Sequence, residues 1–484
     1  MKIVIIGNGI IGLTTALRLA LNAKEGDEIL IVGKQARPYS ATMAAAAMLN
    51  SFCEIEADTF KTDIDTIRFG MSYDASKMWP KFVLDHLEVA QGHNCLIAEC
   101  STCMGTTGAC YELGTYLINN CSADSLDDSN YNAVLKALKD FYEPHSEVDP
   151  SDIPNYNPQA RHRATRALYI PNEGWLNPKL TLRSIEASLL GFSCIKLIDD
   201  EVISLNQSGN KLTSVTLSDK SVLEADQFLL STGASASTLI EQSNLSIKIP
   251  KIFNGVGVSI QIKSPEYPHT KAIRTPNRGL ACGLYTVPFY TSPKVPFNEL
   301  IIGSSSLVTP FKIEGARVGS VQSLLTGAME QINTNFYKAE ISTINIGYRP
   351  VSADTYPVFG RTSIQNLVIC TGTKRDGFHL APLLSELLFN LIIGNEIDNK
   401  YDCFKPERDL IKNYTREEGI EASVNHLMSA SYQHGFVPSH DKLNEKLKKM
   451  HRDDLERLHD KVGAIDWGIS PELLELYRYG HIEN

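Results

Sequence analysis

Three glycines near the start of the chain, Gly7, Gly9 and Gly12, carry the spacing G-x-G-x-x-G. Each has its own physical task. Gly7 permits a tight turn, Gly9 presents bare backbone to a pyrophosphate, and Gly12 lets a helix pack closely on a strand. The motif stands between a short apolar run at 2–7 and an alanine- and leucine-rich segment at 11–22, with a second apolar run at 28–32 beyond. Strand, glycine turn, helix, strand is the context in which the N–H groups and partial positive charge of a helix N-terminus, here opened by Ile10 and Ile11, hold a dinucleotide. One position breaks the pattern. The second strand should end in Asp or Glu to hold the adenosine ribose, and here Gly33 is followed by Lys34. A basic residue would suit a ribose 2′-phosphate, so NADP stays open on these residues alone.

Two later apolar runs also end in glycine: 227–231 leads into Thr232-Gly233, and 367–370 into Thr371-Gly372. Ligands of parallel α/β sheets lie at the carboxyl ends of strands, where glycine lets them touch backbone. One extended cofactor laid across three strand ends is the expectation, with a sheet assembled from distant pieces. The loop after Gly372 contains Lys374, Arg375, Asp376, Gly377, Phe378 and His379 and opens into an apolar helix at 383–393. Its N-terminus is a second place where a helix dipole would stabilise negative charge.

Length and composition bound the elements that must position these residues. At 484 residues the chain should form two to four domains. Apolar residues at 43% and charged residues at 21% are ordinary for a globular protein. A net charge of −10 argues against nucleic acid as a partner. No segment reaches the roughly 18 to 20 apolar residues of a membrane span. Met1-Lys2 runs straight into an apolar strand, so no removable leader is expected and the chain is placed in the cytoplasm. The ten cysteines should then be free thiols. Cys100 and Cys103 form a C-x-x-C, but no second pair or matched histidines follow nearby, and no metal site is expected.

Four segments together resemble the D-amino-acid oxidase family of flavoproteins, which includes glycine oxidase and sarcosine oxidase. They are Val4 through Leu13, Ser40 through Leu49, Ala225 through Ala234, and the stretch from Gly347-Tyr348-Arg349-Pro350 through Asp354, Pro357 and Gly360 to the Gly372–Gly377 loop. Their order and spacing match over most of residues 1–397. The resemblance implies an α/β fold: a glutathione-reductase-like Rossmann FAD-binding domain from discontinuous segments at 1–75, 160–250 and 345–397. It also implies an α+β substrate domain with a mainly antiparallel sheet from 76–159 and 251–344. Residues 398–484 lie beyond it and read as a helical extension, packed on the main body or a second subunit, with a lid over the site as an alternative. Ser122 through Asn132, being polar, reads as a surface loop.

The implied cofactor is FAD, which carries no 2′-phosphate, so Lys34 needs no such role. Sarcosine oxidases attach flavin through a cysteine in the segment matching 347–350, which has none here, so non-covalent FAD is expected. Thr42, Ala46 and Met48 fall in the small-residue segment that lies against the flavin, and Val202 matches the position whose backbone contacts adenine. Arg349 matches the residue that pairs with the substrate carboxylate, a role that suits a planar guanidinium fork. Tyr348 and His379 are further candidates for bonds to substrate or flavin. Three departures stand out: Gly33 for the usual acid, Ala47 for a usual glycine, and Lys374-Arg375-Asp376 for smaller residues. The implied activity is oxidation of an amino acid or related amine bearing a carboxylate, by hydride transfer to flavin N5, giving an imine that hydrolyses. A 2-hydroxy acid oxidase on the same scaffold, and a low-turnover flavin-binding protein acting through its extension, are the alternatives. A homo-oligomer is left open.

Overall fold

The computed structural model describes residues 1–86, 111–121, 124–264, 269, 271–278, 283–289, 299–433 and 440–482. Its first sheet has six strands, in the order Val358–Arg361, Leu367–Thr371, Gln227–Leu230, Lys2–Ile6, Glu28–Val32 and Ile195–Ile198. All neighbours are parallel except the edge strand Val358–Arg361, which is antiparallel to Leu367–Thr371. Both faces of this sheet are covered. Ile3, Ile5, Ile29, Ile31, Leu229 and Val368 face helices Ile10–Leu21, Asp63–His86, Pro178–Leu190 and Ala381–Ile392. Val4, Ile6, Leu30, Val32, Phe228 and Leu230 face the small antiparallel sheet Val202–Ser208, Lys211–Leu217 and Val222–Glu224 and the helix Ala236–Gln242. Burial on both faces is the reason these strands read as unbroken apolar runs. The helix Pro178–Leu190 starts where Asn177 accepts the N–H groups of Lys179 and Leu180 at 3.0 and 3.1 Å, with Pro178 at the first position.

The second sheet has ten strands, with Ile252–Lys263 between Glu340–Ser352 on one side and Glu299–Gly303 and Leu307–Thr309 on the other. It is antiparallel apart from the pair Ala272–Arg274 and Tyr111–Asn120. The short strand Met48–Leu49 joins it through Trp175 and Gly174, and so carries the chain from the first sheet to the second.

Residues 125–132, expected as loop, are the first turns of a helix, Ser125–Asp140. Asp124 caps it by accepting from Leu126 and Asp127 N–H, and Tyr131, Val134 and Leu138 bury one stripe of it at steps of three and four. Polar composition masked that stripe. Residues 122–123, Cys100 and Cys103 lie outside the described residues.

The extension contains helices Arg416–Gln433 and Asp441–Lys461. Ile420, Val424, Met428, Leu455 and Leu458 pack on Phe253 and Val351 of the paired strands Ile252–Lys263 and Glu340–Ser352 and on Ala353 just beyond. Arg408 pairs with the buried Asp354. Among the described residues no helix is long and apolar enough to cross a membrane.

Candidate active site

A continuous cleft of about 750 Å³ runs from the carboxyl ends of the six-stranded sheet to the face of the ten-stranded one. Gly7, Gly9, Ile10, Ile11, Gly33, Lys34, Thr42, Ala46, Met48, Val202, Thr232, Gly233, Tyr348, Arg349, Lys374, Arg375, Asp376, Gly377, Phe378 and His379 all line it. Gly12 and Gly372, also expected to bind the cofactor, are not among its lining residues. A Cβ on Gly12 would sit 2.0 Å from the carbonyl oxygen of Gly7, so this glycine lets the helix close on the turn. Gly372 has φ +67° and lies with its Cβ direction 3.0 Å from the Tyr356 carbonyl oxygen, so it turns the chain out of the strand.

The opening turn is built for backbone approach. Gly7 has φ +112°, its N–H donates to Val32 O at 2.8 Å, and a Cβ there would meet Ser231 O at 2.5 Å. Gly9 is the helix N-cap and lines the cleft, and it contributes no side-chain bond to the N–H groups of the first turn. The N–H of Ile10 donates to Thr42 Oγ1 at 3.3 Å, which sets the small-residue segment beside the helix N-terminus.

Gly33 has a local explanation. Asn8 Nδ2 donates to Gly33 O at 2.9 Å and to Lys34 O at 3.1 Å, and the Asn8 side chain fills the space where a side chain at 33 would start. A Cβ on Gly33 would lie 2.4 Å from Asn8 Cγ. The acid at this end of the cleft comes instead from the neighbouring segment, where Glu201 pairs with Lys34 at 3.4 Å. Arg37 Nε braces the turn from outside by donating to Asn8 O at 2.9 Å, and its guanidinium pairs with Glu186.

At the other end, Arg349 lies flat on the strand Ile252–Lys263. A Cβ on Gly257 would sit 2.5 Å from Arg349 Nη2, so only glycine leaves room for the guanidinium. Nη2 donates to Ser304 Oγ at 2.9 Å and Nη1 to Ser305 O at 3.1 Å. Among the described residues no carboxylate pairs with Arg349. Every other lining cation except the solvent-exposed Lys312 is paired: Lys34 with Glu201, Arg37 with Glu186, Lys374 with Glu472, and Arg375 with Glu54 and Glu56. Burial pushes the Glu54 carboxyl up, but Arg274 and Arg375 outweigh it and hold the carboxyl at about 2.

Tyr348 lines the cleft, but its hydroxyl donates to Ile313 O at 3.0 Å and its ring stacks on Tyr39 at 5.2 Å. Its part is to hold the mouth of the cleft together. His379 is buried, with Nε2 2.8 Å from Ser72 O and 3.2 Å from Ser51 Oγ. Burial lowers its pKa, so the imidazole is neutral. The Ser51 turn after Met48 is held by the buried Glu173, which accepts from Ser51 N at 2.7 Å and from Phe52 N. Cys370 also lines the cleft, and burial pushes its thiol up to about 12.

Asn8, Gly257, Glu54 and Glu201 were not singled out from the sequence. Only Gly257 had a signal, since an interior glycine in a strand marks close approach by another group. Among the described residues of 398–482 none lines the cleft.

The residues present fit FAD. The glycine turn clears a path to the N-terminus of Ile10–Leu21, the second strand-end glycine at 233 has φ +58°, and one cleft joins these to a region walled by Ala46, Met48 and the 373–377 loop. Among curated proteins, the bifunctional protein ThiO/ThiG of Trichormus variabilis is 23% identical over 398 residues, covering 82% of this chain and 53% of its own length. The chain thus spans about half the length of that relative. A D-amino acid dehydrogenase of Vibrio atlanticus is 23% identical over 444 residues, covering 85% of this chain and all of its own. Among solved structures, iminodiacetate oxidase from Chelativorans superposes with a TM-score of 0.66 at 18% identity, over 84% of this chain and all of that one. The family model described as DAO, FAD dependent oxidoreductase, matches residues 2–391, four-fifths of the chain, and the chain therefore belongs to that FAD-dependent family.

Proposed function

We propose that the protein oxidises an amino acid or related amine carrying a carboxylate, using non-covalent FAD. The observation that carries this reading is Arg349: a guanidinium held by two serines at the cleft wall, with two N–H directions spent on neutral oxygens and no carboxylate partner among the described residues. A positive charge left unpaired in a partly buried site awaits an anion. The names of two relatives, a D-amino acid dehydrogenase and an iminodiacetate oxidase, support a substrate with both nitrogen and carboxylate.

Bound in the cleft, FAD supplies the two-electron acceptor for the C–H bond beside the substrate heteroatom. The chain's own residues bind, orient and exclude water. Gly7, Gly9 and the N–H groups around Ile10 and Ile11 hold the pyrophosphate. Thr232, Gly233 and Val202 would hold the adenosine half, with Lys34 and Glu201 available to its ribose. Ala46, Met48, Gly377 and Phe378 wall the ring system, and the 374–376 segment leads into the helix Ala381–Ile392, whose N-terminus favours negative charge at the ring edge. Arg349 fixes the carboxylate bidentately and so sets which C–H bond faces the cofactor. The protonated Cys370 thiol is a poor nucleophile, in keeping with non-covalent binding.

Anaerobic bleaching of the holoprotein by a panel of amines and 2-hydroxy acids tests the reading. Carboxylate-bearing amines should bleach it, and Arg349→Lys should raise their KM by about tenfold, the factor for loss of a bidentate ion pair. Bleaching by hydroxy acids alone would transfer the reading to alcohol oxidation, and an unchanged KM in Arg349→Lys would remove the carboxylate anchor. Acid denaturation should release all the FAD into the supernatant.

A further inference from the structure

We infer that Glu472, in the extension beyond the family match, restricts the substrate to one carboxylate by holding Lys374 away from it. This rests on the Arg349 reading above and deepens it. The loop 373–376 is tied to the strand bearing Arg349, since Lys374 N–H donates to Pro350 O at 2.8 Å. Beside that loop, Arg68, Arg274, Lys374 and Arg375 each have a carboxylate partner. Arg68 pairs with Asp376 at 3.1 Å, Arg274 and Arg375 share Glu54, and Arg375 also reaches Glu56 at 3.1 Å. Lys374 Nζ pairs with Glu472 Oε1 at 2.8 Å, with the two side chains 14% and 20% exposed. Arg349 has no carboxylate partner among the described residues, and the other unpaired lining cation, Lys312, is solvent-exposed.

Of these acids, Glu472 is the one that does not come from the matched residues 2–391. It sits in the short helix Pro471–Leu473, which is anchored by Pro471 and Leu473, both buried. Burial pushes its carboxyl up, but Lys374 and Arg375 hold it at about 2, so it is charged. Lys374 also occupies a left-handed conformation, φ +53°, where a lysine is strained relative to glycine. The side chain kept at that position is one long enough to reach the extension. Glu472 acts through Lys374 and is a positioning residue. Without its charge, the Lys374 ammonium loses its carboxylate partner and is free to turn into the cleft that Lys374 and Arg349 both line, where a dicarboxylate gains a second partner.

The test uses the full-length holoprotein and unreactive ligands, reading dissociation constants from perturbation of the flavin spectrum by propionate and by malonate or succinate. The wild type should favour propionate. E472Q should tighten dicarboxylate binding by about tenfold, the effect of one partly desolvated charge pair, with propionate unchanged. E472D should keep wild-type selectivity. K374M/E472M removes both charges without leaving either buried alone, and it too should keep the wild-type preference, which covers the case in which E472Q folds poorly. Equal loss of both ligands in E472Q, no gain for dicarboxylates, or altered selectivity in K374M/E472M would each overturn the inference. Failure of the Arg349 reading is seen separately, as propionate binding that R349K leaves unchanged.

Discussion

Replacing Gly33 with glutamate restores the acid that the strand–turn–helix pattern calls for, and it should damage this protein. A Cβ at position 33 would lie 2.4 Å from Asn8 Cγ and 2.5 Å from Asn8 Oδ1. Gly33 is not among the residues at positive φ, so the obstacle is the Asn8 side chain and not the backbone. Asn8 must then leave, and its amide gives up the bonds to the carbonyls of Gly33 and Lys34 at 2.9 and 3.1 Å. At about 1 kcal/mol for each bond, Gly33→Glu should destabilise by about 2 kcal/mol. Asn8→Gly removes the obstructing atoms and loses the same bonds, so adding Gly33→Glu to it should change stability little. A double-mutant cycle by urea denaturation should therefore show coupling of about 2 kcal/mol between the two sites. FAD titration of the apoproteins should show the same non-additivity, with the double variant binding no more weakly than the single Gly33→Glu. Gly33→Glu unfolding with the wild type, or the two changes adding independently to within about 0.5 kcal/mol, would refute the steric account.

Gly12→Ala gains about 1 kcal/mol of helix propensity but places a methyl 2.0 Å from Gly7 O. Overpacking of about 3 kcal/mol should win, and both the melting temperature and FAD affinity should fall. Glu201→Ala removes the acid at the ribose end. Its side chain is 61% exposed, so stability should hold within about 0.5 kcal/mol while the FAD dissociation constant rises about fivefold, as read by fluorescence titration. Asn177→Ala leaves the buried N–H groups of Lys179 and Leu180 without their acceptor and should lower stability by about 1 kcal/mol in the same urea assay. Glu54 and Glu472 both fall from 4.5 to about 2 on folding. Their stabilisation is therefore present above about pH 4.5 and lost as pH falls from there toward 2, because the unfolded chain binds more protons in that window. Urea midpoints should drop through this window, and less steeply in K374M/E472M.

The parallel sheet was legible because strands buried on both faces leave unbroken apolar runs, and a glycine at a strand end leaves a mark whether or not its neighbours are known. So the runs at 2–6, 28–32, 227–230 and 367–371, and the cleft along their ends, could be read in order from residue types. The helix Ser125–Asp140 could not, because its buried stripe is diluted by a polar outer face. Tyr348 and His379 illustrate a different limit. A sequence places them near the cleft, but whether a hydroxyl or imidazole is free depends on partners such as Ile313 and Ser72 that lie far away along the chain.

The same limit applies to charge. The sequence placed Lys34, Arg349, Lys374 and Arg375 in the segments that line the cleft. Only the tertiary structure decided that Glu201, Glu472, Glu54 and Glu56 neutralise the others and leave the partly buried Arg349 without a carboxylate among the described residues. Glycine spacing is local information, set by backbone sterics within a few residues. Electrostatic balance is a sum over everything folded into one place, and no short stretch of sequence contains it.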